Sequence, residues 1–170
     1  MGSRIEHRAE FSAGLGAVLA AVSGEDALRA RLKELGGDNA ALLSHSVTKD
    51  TSGDVVRYEL QHGIAAQRLP QAVQALHRGD IIVHRKQVWQ RSGDAYTGKV
   101  DVSVSGVPGE IGAQTFLTPR GERVEFRTSG EVTVRIPLFG GKIEEFVAQQ
   151  VTNLLAHEAD FTTSWLAEHA

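Results

Sequence analysis

VTVRIPLFGGKIEEFVAQQVTNLLAHEADFTTSWL, residues 132–166, changes its period partway along. Val132 and Val134 alternate with polar neighbours as a half-buried strand does, and Pro137 ends the ladder because it has no N–H to donate. Gly140 and Gly141 let the chain turn out of the sheet plane. After them no proline or glycine interrupts the sequence, and the spacing predicts one continuous helix over 140–167. At about 100° per residue, Phe139, Ile143, Phe146, Val147, Val151, Leu154, Phe161 and Trp165 share one broad arc. Glu144, Glu145, Gln149, Thr152, Asn153, Ala156 and Asp160 fall mostly outside it. A long helix with an aromatic-rich face, placed directly after a strand, needs a large apolar surface to lie on.

Upstream, the chain supplies that surface. RIEHRAEF at 4–11 alternates, with Ile5, His7, Ala9 and Phe11 on one face and charged residues on the other, which is the pattern of a half-exposed antiparallel strand. Ser12 is the expected cap of a small-residue helix, AGLGAVLAAV, that ends near Ser23 and Gly24. A second short helix, EDALRARLKEL, stops at Gly36-Gly37. From residue 40 the period becomes two. AALLSHSVTKD and DVVRYELQH form a hairpin about Thr51-Ser52-Gly53. LPQAVQALHRG reads as a short helix or irregular crossing. DIIVHRKQVWQR, AYTGKVDVSVSG, EIGAQTFLT and ERVEFRTSGEVTVRI follow, separated by Gly- and Pro-containing turns.

Seven strands result, one at the start and six in a meander, and residues 1–170 are expected to form a single domain. The inner face is expected to carry Val56, Tyr58, Leu60, Val100, Val102, Val104, Val124, Phe126, Val132 and Val134. In the fourth strand Ile81, Val83 and Trp89 share one phase and Ile82, His84 and Val88 the other, so a β-bulge is expected there. A twisted sheet curls around what covers it, and one helix about ten ångströms across fills only part of the curl. The expectation is a cavity.

Composition narrows the function. Hydrophobic residues make up 41% and charged residues 23%, as in an ordinary globular protein, and the net charge of −3 argues against a nucleic-acid or anionic-membrane footprint. There is no cysteine, which removes disulfide and thiolate chemistry. MGSRIEHRAEF lacks an apolar h-region and no run approaches a transmembrane span, so a cytoplasmic location is expected.

Catalytic motifs are weak. AGLGAVLA at 13–20 has glycine spacing of the dinucleotide-binding kind, but the strand before it is half charged and the βαβ alternation is missing. The seven histidines show no i, i+4 or His-x-His pair, so no metal and no cofactor are expected. His157-Glu158 lacks a zinc helix's second histidine. No GxSxG elbow occurs, and a glycosidase-type pair would need a second inward carboxylate beside Glu158. Gln150 and Glu158 both project roughly 40° from the centre of the apolar arc. Such groups are buried only with partners, and Arg85, Tyr96, His45 or backbone are the candidates. Alternatively they orient the polar end of a ligand, with Tyr58 and His62 assisting from the sheet.

The order of strand, two short helices, six antiparallel strands and long C-terminal helix resembles the helix-grip fold of the START-like (SRPBCC) superfamily. RLP at 68–70, VWQ around Trp89 and IPLFGGKIEEFVAQQV at 136–151 are similar to an uncharacterised bacterial branch of it. The resemblance implies an α+β fold: a curved seven-stranded antiparallel sheet, with the long helix over a hydrophobic ligand cavity. The function it implies is binding, sequestration or transport of an apolar small molecule or lipid, without covalent chemistry. Expected ligand contacts are Tyr58, Leu60, His62, Trp89, Val102 and Phe126 from the sheet, and Ile143, Val147, Gln150, Val151, Leu154 and Glu158 from the helix. Two alternatives stand beside it. One is a cyclase- or hydratase-type enzyme acting on a polar-aromatic or polyketide-like substrate, with Glu158, His45 or His62 as acid or base. The other is a co-chaperone-like interaction module with a filled core. The size of the enclosed space discriminates: a cavity no larger than a few water molecules rules out the first two and leaves the filled module.

Overall fold

The structure, a computed structural model, describes residues 2–69, 71–76 and 79–170. Strand β1 (Ser3–Phe11) leads into helices α1 (Leu15–Ser23) and α2 (Glu25–Leu35). Strands β2 (Ala41–Asp50) and β3 (Gly53–Ile64) form the first hairpin. A 3-10 turn at Ala66–Arg68 and helix α3 (Gln71–Leu76) make the crossing. Pro70, the last residue of the RLP motif, and His77 and Arg78 lie outside the described residues. Strands β4 (Ile81–Ser92), β5 (Ala95–Val104), β6 (Gly109–Arg120) and β7 (Arg123–Val134) complete the meander, and α4 runs unbroken over Gly140–Glu168. All pairings are antiparallel and the sheet order is β1-β7-β6-β5-β4-β3-β2. The first strand is thus both at an edge and beside the last. This is the helix-grip architecture.

Two local expectations are corrected. Helix α1 starts at Leu15 with Gly14 at the N-cap position and no side-chain cap, so Ser12 belongs to the preceding turn. Strand β4 pairs with β3 and β5 without any shift of register, so it has no bulge. Ile81, Val83, Arg85, Gln87 and Trp89 all face inward on one phase. The half-buried Ile82 and Val88 lie on the outer face among polar neighbours, which a twisted sheet tolerates. The register shift falls instead on edge strand β2, between Leu42 and Ser44. A bulge there kinks an otherwise open edge, a common protection against strand-to-strand association.

The core is continuous along the inner face. Phe11, Val18, Val22, Leu28, Leu32, Val56, Tyr58, Leu60, Trp89, Leu117 and Val124 pack together where α1 and α2 close one end. Ile5, Ile111, Val132, Ala148 and Leu155 form the centre under α4. Leu69, Ile81 and Ile143 close the other end.

Helix α4 runs along β1 and β7 and touches α1 and α2. Its buried residues are Gly140, Ile143, Glu144, Ala148, Leu155, Glu158 and Thr162. That face is rotated from the aromatic arc. Phe146, Leu154, Phe161 and Trp165 are half-buried flanks, Phe139 is 52% exposed, and Gln150 lies on the solvent side. The sheet already presents bulky Ile5, Phe11 and Val132, so the helix meets them with small Ala148, Ala159 and Thr162 and approaches closely. Glu144, which the wheel leaves outside, is buried because its Oε2 accepts the Val134 backbone N–H at 2.8 Å. That bond fastens the second turn of α4 to the last residue of β7.

The rotation of the helix gives a direct test. Leu155→Ala should lower stability by about 2 to 5 kcal/mol, the usual cost of emptying a packed leucine site. Gln150→Leu should change it by no more than about 0.5 kcal/mol. Urea unfolding curves of the two variants check this, and equal costs would place the buried face where the aromatic arc lies.

Candidate functional site

Three elements deliver charge to the inside of the grip. Arg31 sits on the apolar face of α2 with Ala27, Leu28 and Leu32. Arg85 is an inward residue of β4, between Leu60 on β3 and Val102 on β5. Glu158 comes from α4 and is only 6% exposed. Arg85 Nη1 donates to both Glu158 oxygens, at 3.1 Å to Oε1 and 2.9 Å to Oε2. Arg31 Nε lies 3.4 Å from Oε2 but is not aligned to donate, and its Nε and Nη2 have no hydrogen-bond partner.

The electrostatics follow from that geometry. Burial alone would raise the pKa of Glu158, but Arg31 and Arg85 outweigh it and hold the carboxyl at about 2. Burial opposes the charge on Arg85 as well; the carboxylate overcomes it and leaves its pKa above the ordinary arginine value. His62, on β3 opposite Val83, is buried, and desolvation with help from Arg85 lowers its pKa to about 4. His7 is lowered too, by burial, with Glu158 pulling the other way.

Around the ions lies a second set of polar groups. Tyr58 Oη donates to Val22 O at 3.3 Å. His45 Nε2 is 2.7 Å from Ser23 O, and since a carbonyl only accepts, Nε2 carries the proton. Gln87 Nε2 donates to Thr115 Oγ1 at 3.1 Å, across the intervening strand at Gly98. A Cβ at Gly98 would stand 2.5 Å from both Thr115 Oγ1 and Val88 O, so only glycine leaves room for that bond. Thr128 Oγ1, His62 Nε2 and Trp89 Nε1 are buried without a partner.

The space enclosed by these groups is small. A narrow crevice of about 20 Å³ is lined by His7, Arg31, Tyr58, Arg85, Gln87, Thr128, Leu155 and Glu158, among others. That is room for about one water molecule. The enclosed space therefore falls at the filled end of the criterion set by the sequence, because Trp89, Arg85, Gln87 and Tyr58 occupy the curl. A larger depression, about 460 Å³, lies on the outer face between Val88, Gln90, Lys99, Gln114 and Phe116. It is open and carries no buried charge, so the grip holds the chemistry.

Ten of the twelve expected contact residues divide into three groups, and His62 and Gln150 stand apart. Tyr58, Glu158 and Phe126 line the crevice. Leu60, Trp89 and Ile143 are sealed in the core at 0%, 1% and 3% exposure, with Trp89 edge-on to Phe126 at 5.6 Å. Val102, Val147 and Val151 pack partly buried against the central cluster, and Leu154 is a half-buried flank. His62 is near the ions but outside the crevice lining. Gln150 is corrected: it is exposed and faces away from the site. Arg31 was missed. Its signal was an arginine four residues from Ala27 and three from Leu28, on the apolar stripe of an amphipathic helix.

Residues 6–166 match the family described as protein of unknown function DUF2505. The chain belongs to that family. It is 32% identical over 151 residues to uncharacterized proteins of Mycobacterium tuberculosis and Mycobacterium bovis, covering 85% of this chain and 85% of each relative. Its fold is similar to that of norcoclaurine synthase from Thalictrum flavum, with TM-score 0.57, 16% identity, and coverage of 99% of this chain and 88% of that one. It is similar also to a START superfamily protein from Mycobacterium smegmatis, with TM-score 0.54, 10% identity, and coverage of 98% and 99%. These likenesses show the START-like, Bet v 1-like fold. Among the described residues no helix is long and apolar enough to cross a membrane.

Two measurements probe the ion cluster. Glu158→Gln leaves two buried guanidiniums without a counter-charge and should cost about 3 to 5 kcal/mol, whereas Arg31→Met leaves a one-to-one pair and should change stability by no more than about 1 kcal/mol. Thermal unfolding of both variants reads this asymmetry. The pH dependence has a defined sign. His62 binds its proton more weakly folded than unfolded, so stability should fall as pH drops from the usual 6.5 towards 4. Glu158 adds a second loss from 4.5 towards 2. His62→Gln should shrink the upper limb and leave the part that His7 contributes, and an unchanged limb would refute the assignment.

Proposed function

We propose that the protein binds a small amphipathic molecule or lipid between α4 and the sheet and performs no covalent chemistry on it. The observation that carries this reading is a polar cluster with unpartnered donors set directly beside unsealed apolar surface. Arg85 stands opposite Val102 in register, and the next inward pair is Val83 and Val104. Those three valines, with Val147 and Val151 of α4, are only half-buried although they lie on inward faces. An apolar strip ending in convergent polar groups is the usual form of a small-molecule site. One solved structure of norcoclaurine synthase from Thalictrum flavum contains dopamine and hydroxybenzaldehyde, so this fold accommodates organic ligands elsewhere.

The crevice of about 20 Å³ excludes a ligand from the closed grip, so this reading requires α4 to move off the strip. Binding then selects a more open state, which the ligand favours by its differential contacts. The acid–base chemistry of an enzyme fits the cluster less well. Glu158 is held ionised by two guanidiniums and both its oxygens are occupied, and His45 is engaged with Ser23 O. The small size of the crevice favours one second reading, an interaction module whose core is already filled.

Nile red, a neutral apolar probe, separates these readings. The folded protein should take it up at roughly micromolar affinity, and Val102→Trp, which fills the strip, should weaken uptake at least about tenfold while the protein still unfolds cooperatively. A folded wild-type protein that takes up no probe has a filled core, and the interaction module is then the function to pursue.

A further inference from the structure

The crevice beside the valine strip leaves two guanidinium nitrogens of Arg31 unpartnered. Arg31 Nε and Nη2 and Thr128 Oγ1 are buried without hydrogen-bond partners, and both residues line it. Glu158 is the one carboxylate among the lining residues, and both its oxygens already accept from Arg85. Two guanidiniums therefore face a single negative charge in a site where Arg31 is 4% exposed. Arg31 shares the Glu158 carboxylate with Arg85 at 3.4 Å and without a hydrogen bond, and a buried cation so incompletely paired is destabilising unless something completes it.

The chemistry of that missing group is restricted. A water or a hydroxyl would accept hydrogen bonds but bring no charge. An ammonium would add a third cation and no acceptor. A carboxylate brings the charge and two oxygens in a plane, the geometry that matches a guanidinium fork. We infer that the grip's ligand is an amphipathic carboxylic acid bound as its anion, with the head on Arg31 and the chain along the strip past Val102 and Val151. The inference rests on the grip being a ligand site and names the class of head group that it takes. Arg85, tied to both oxygens of Glu158, is the positioning residue: it fixes the carboxylate of α4 so that Arg31, 3.4 Å from Oε2, keeps Nε and Nη2 without a hydrogen-bond partner.

Head-group competition at fixed chain length tests this. Decanoate, decanol and decylamine are titrated against Nile red bound to the wild-type protein at neutral pH, with acetate as the head without a chain. Decanoate should displace the probe at a concentration at least about tenfold below that of decanol, with decylamine weakest, as expected for a charge-assisted pair. Acetate should fail where decanoate saturates, because each buried CH2 contributes a factor of about four. Arg31→Met should bring decanoate and decanol to within about twofold, with decanoate losing far more than decanol. The wild-type series decides the matter if Arg31→Met does not fold. Decanol or decylamine equal to decanoate on the wild type overturns the inference and leaves the ligand site standing. A preference for decanoate that survives Arg31→Met overturns Arg31 as the receptor. If Nile red does not bind the wild-type protein, the ligand site itself fails, and the carboxylate class with it.

Discussion

The contact between Glu158 and Arg85 is the constraint around which the rest is arranged. It joins the last helix to the middle of the sheet, and Arg31 brings α2 to the same carboxylate. Ion pairs this deep add little net stability over apolar packing, because desolvation consumes most of the Coulomb gain. What they do enforce is position. A carboxylate on α4 that must meet β4 fixes the rotation of a helix whose hydrophobic pattern would otherwise allow several. The buried stripe of Ile143, Ala148, Leu155 and Thr162 is the one compatible with Glu158 pointing inward.

That rotation has a consequence for packing. Large side chains come from the sheet and small ones from the helix, so α4 lies close on β1 and β7 and leaves the strip along β4 and β5 less covered. At its other end Glu144 binds the Val134 N–H. The helix is thus fastened by a carboxylate near each end, one to a strand end and one to an arginine. Between them, among the described residues, it is held by apolar contact alone. A helix fastened in this way has a defined resting position and an apolar middle that a ligand can compete for.

The segment joining β7 to α4 shares in this. Leu138 adopts φ 71°, in the left-handed region that a branched apolar residue seldom occupies, and it is 96% exposed. The chain turns there from strand into helix within a few residues, after Pro137 has ended the ladder.

Much of this was legible in the sequence. Period two in RIEHRAEF and from residue 40 onward, the turn residues between strands, and the uninterrupted helix after Gly141 fixed the element order, because those signals are local and each residue reports its own face. The pairing order followed from short connections, which leave neighbouring strands few alternatives. The site was legible only in part. That Glu158 needs a partner if buried followed from its charge, but Arg85 was one candidate beside Tyr96, His45 and backbone, and only the packing selects it. Gln150 did not survive, since a helical wheel weighs hydrophobicity and cannot know that small residues will meet a bulky sheet. Arg31 was hidden for a related reason: an arginine on an apolar stripe commonly reaches out to solvent along its own stem. Whether it does so here depends on what stands beyond α2, and that is Glu158, 127 residues away in the chain. Local periodicity determines elements and faces. Which buried charges meet, and how much room they leave, is decided only when distant elements are packed against one another.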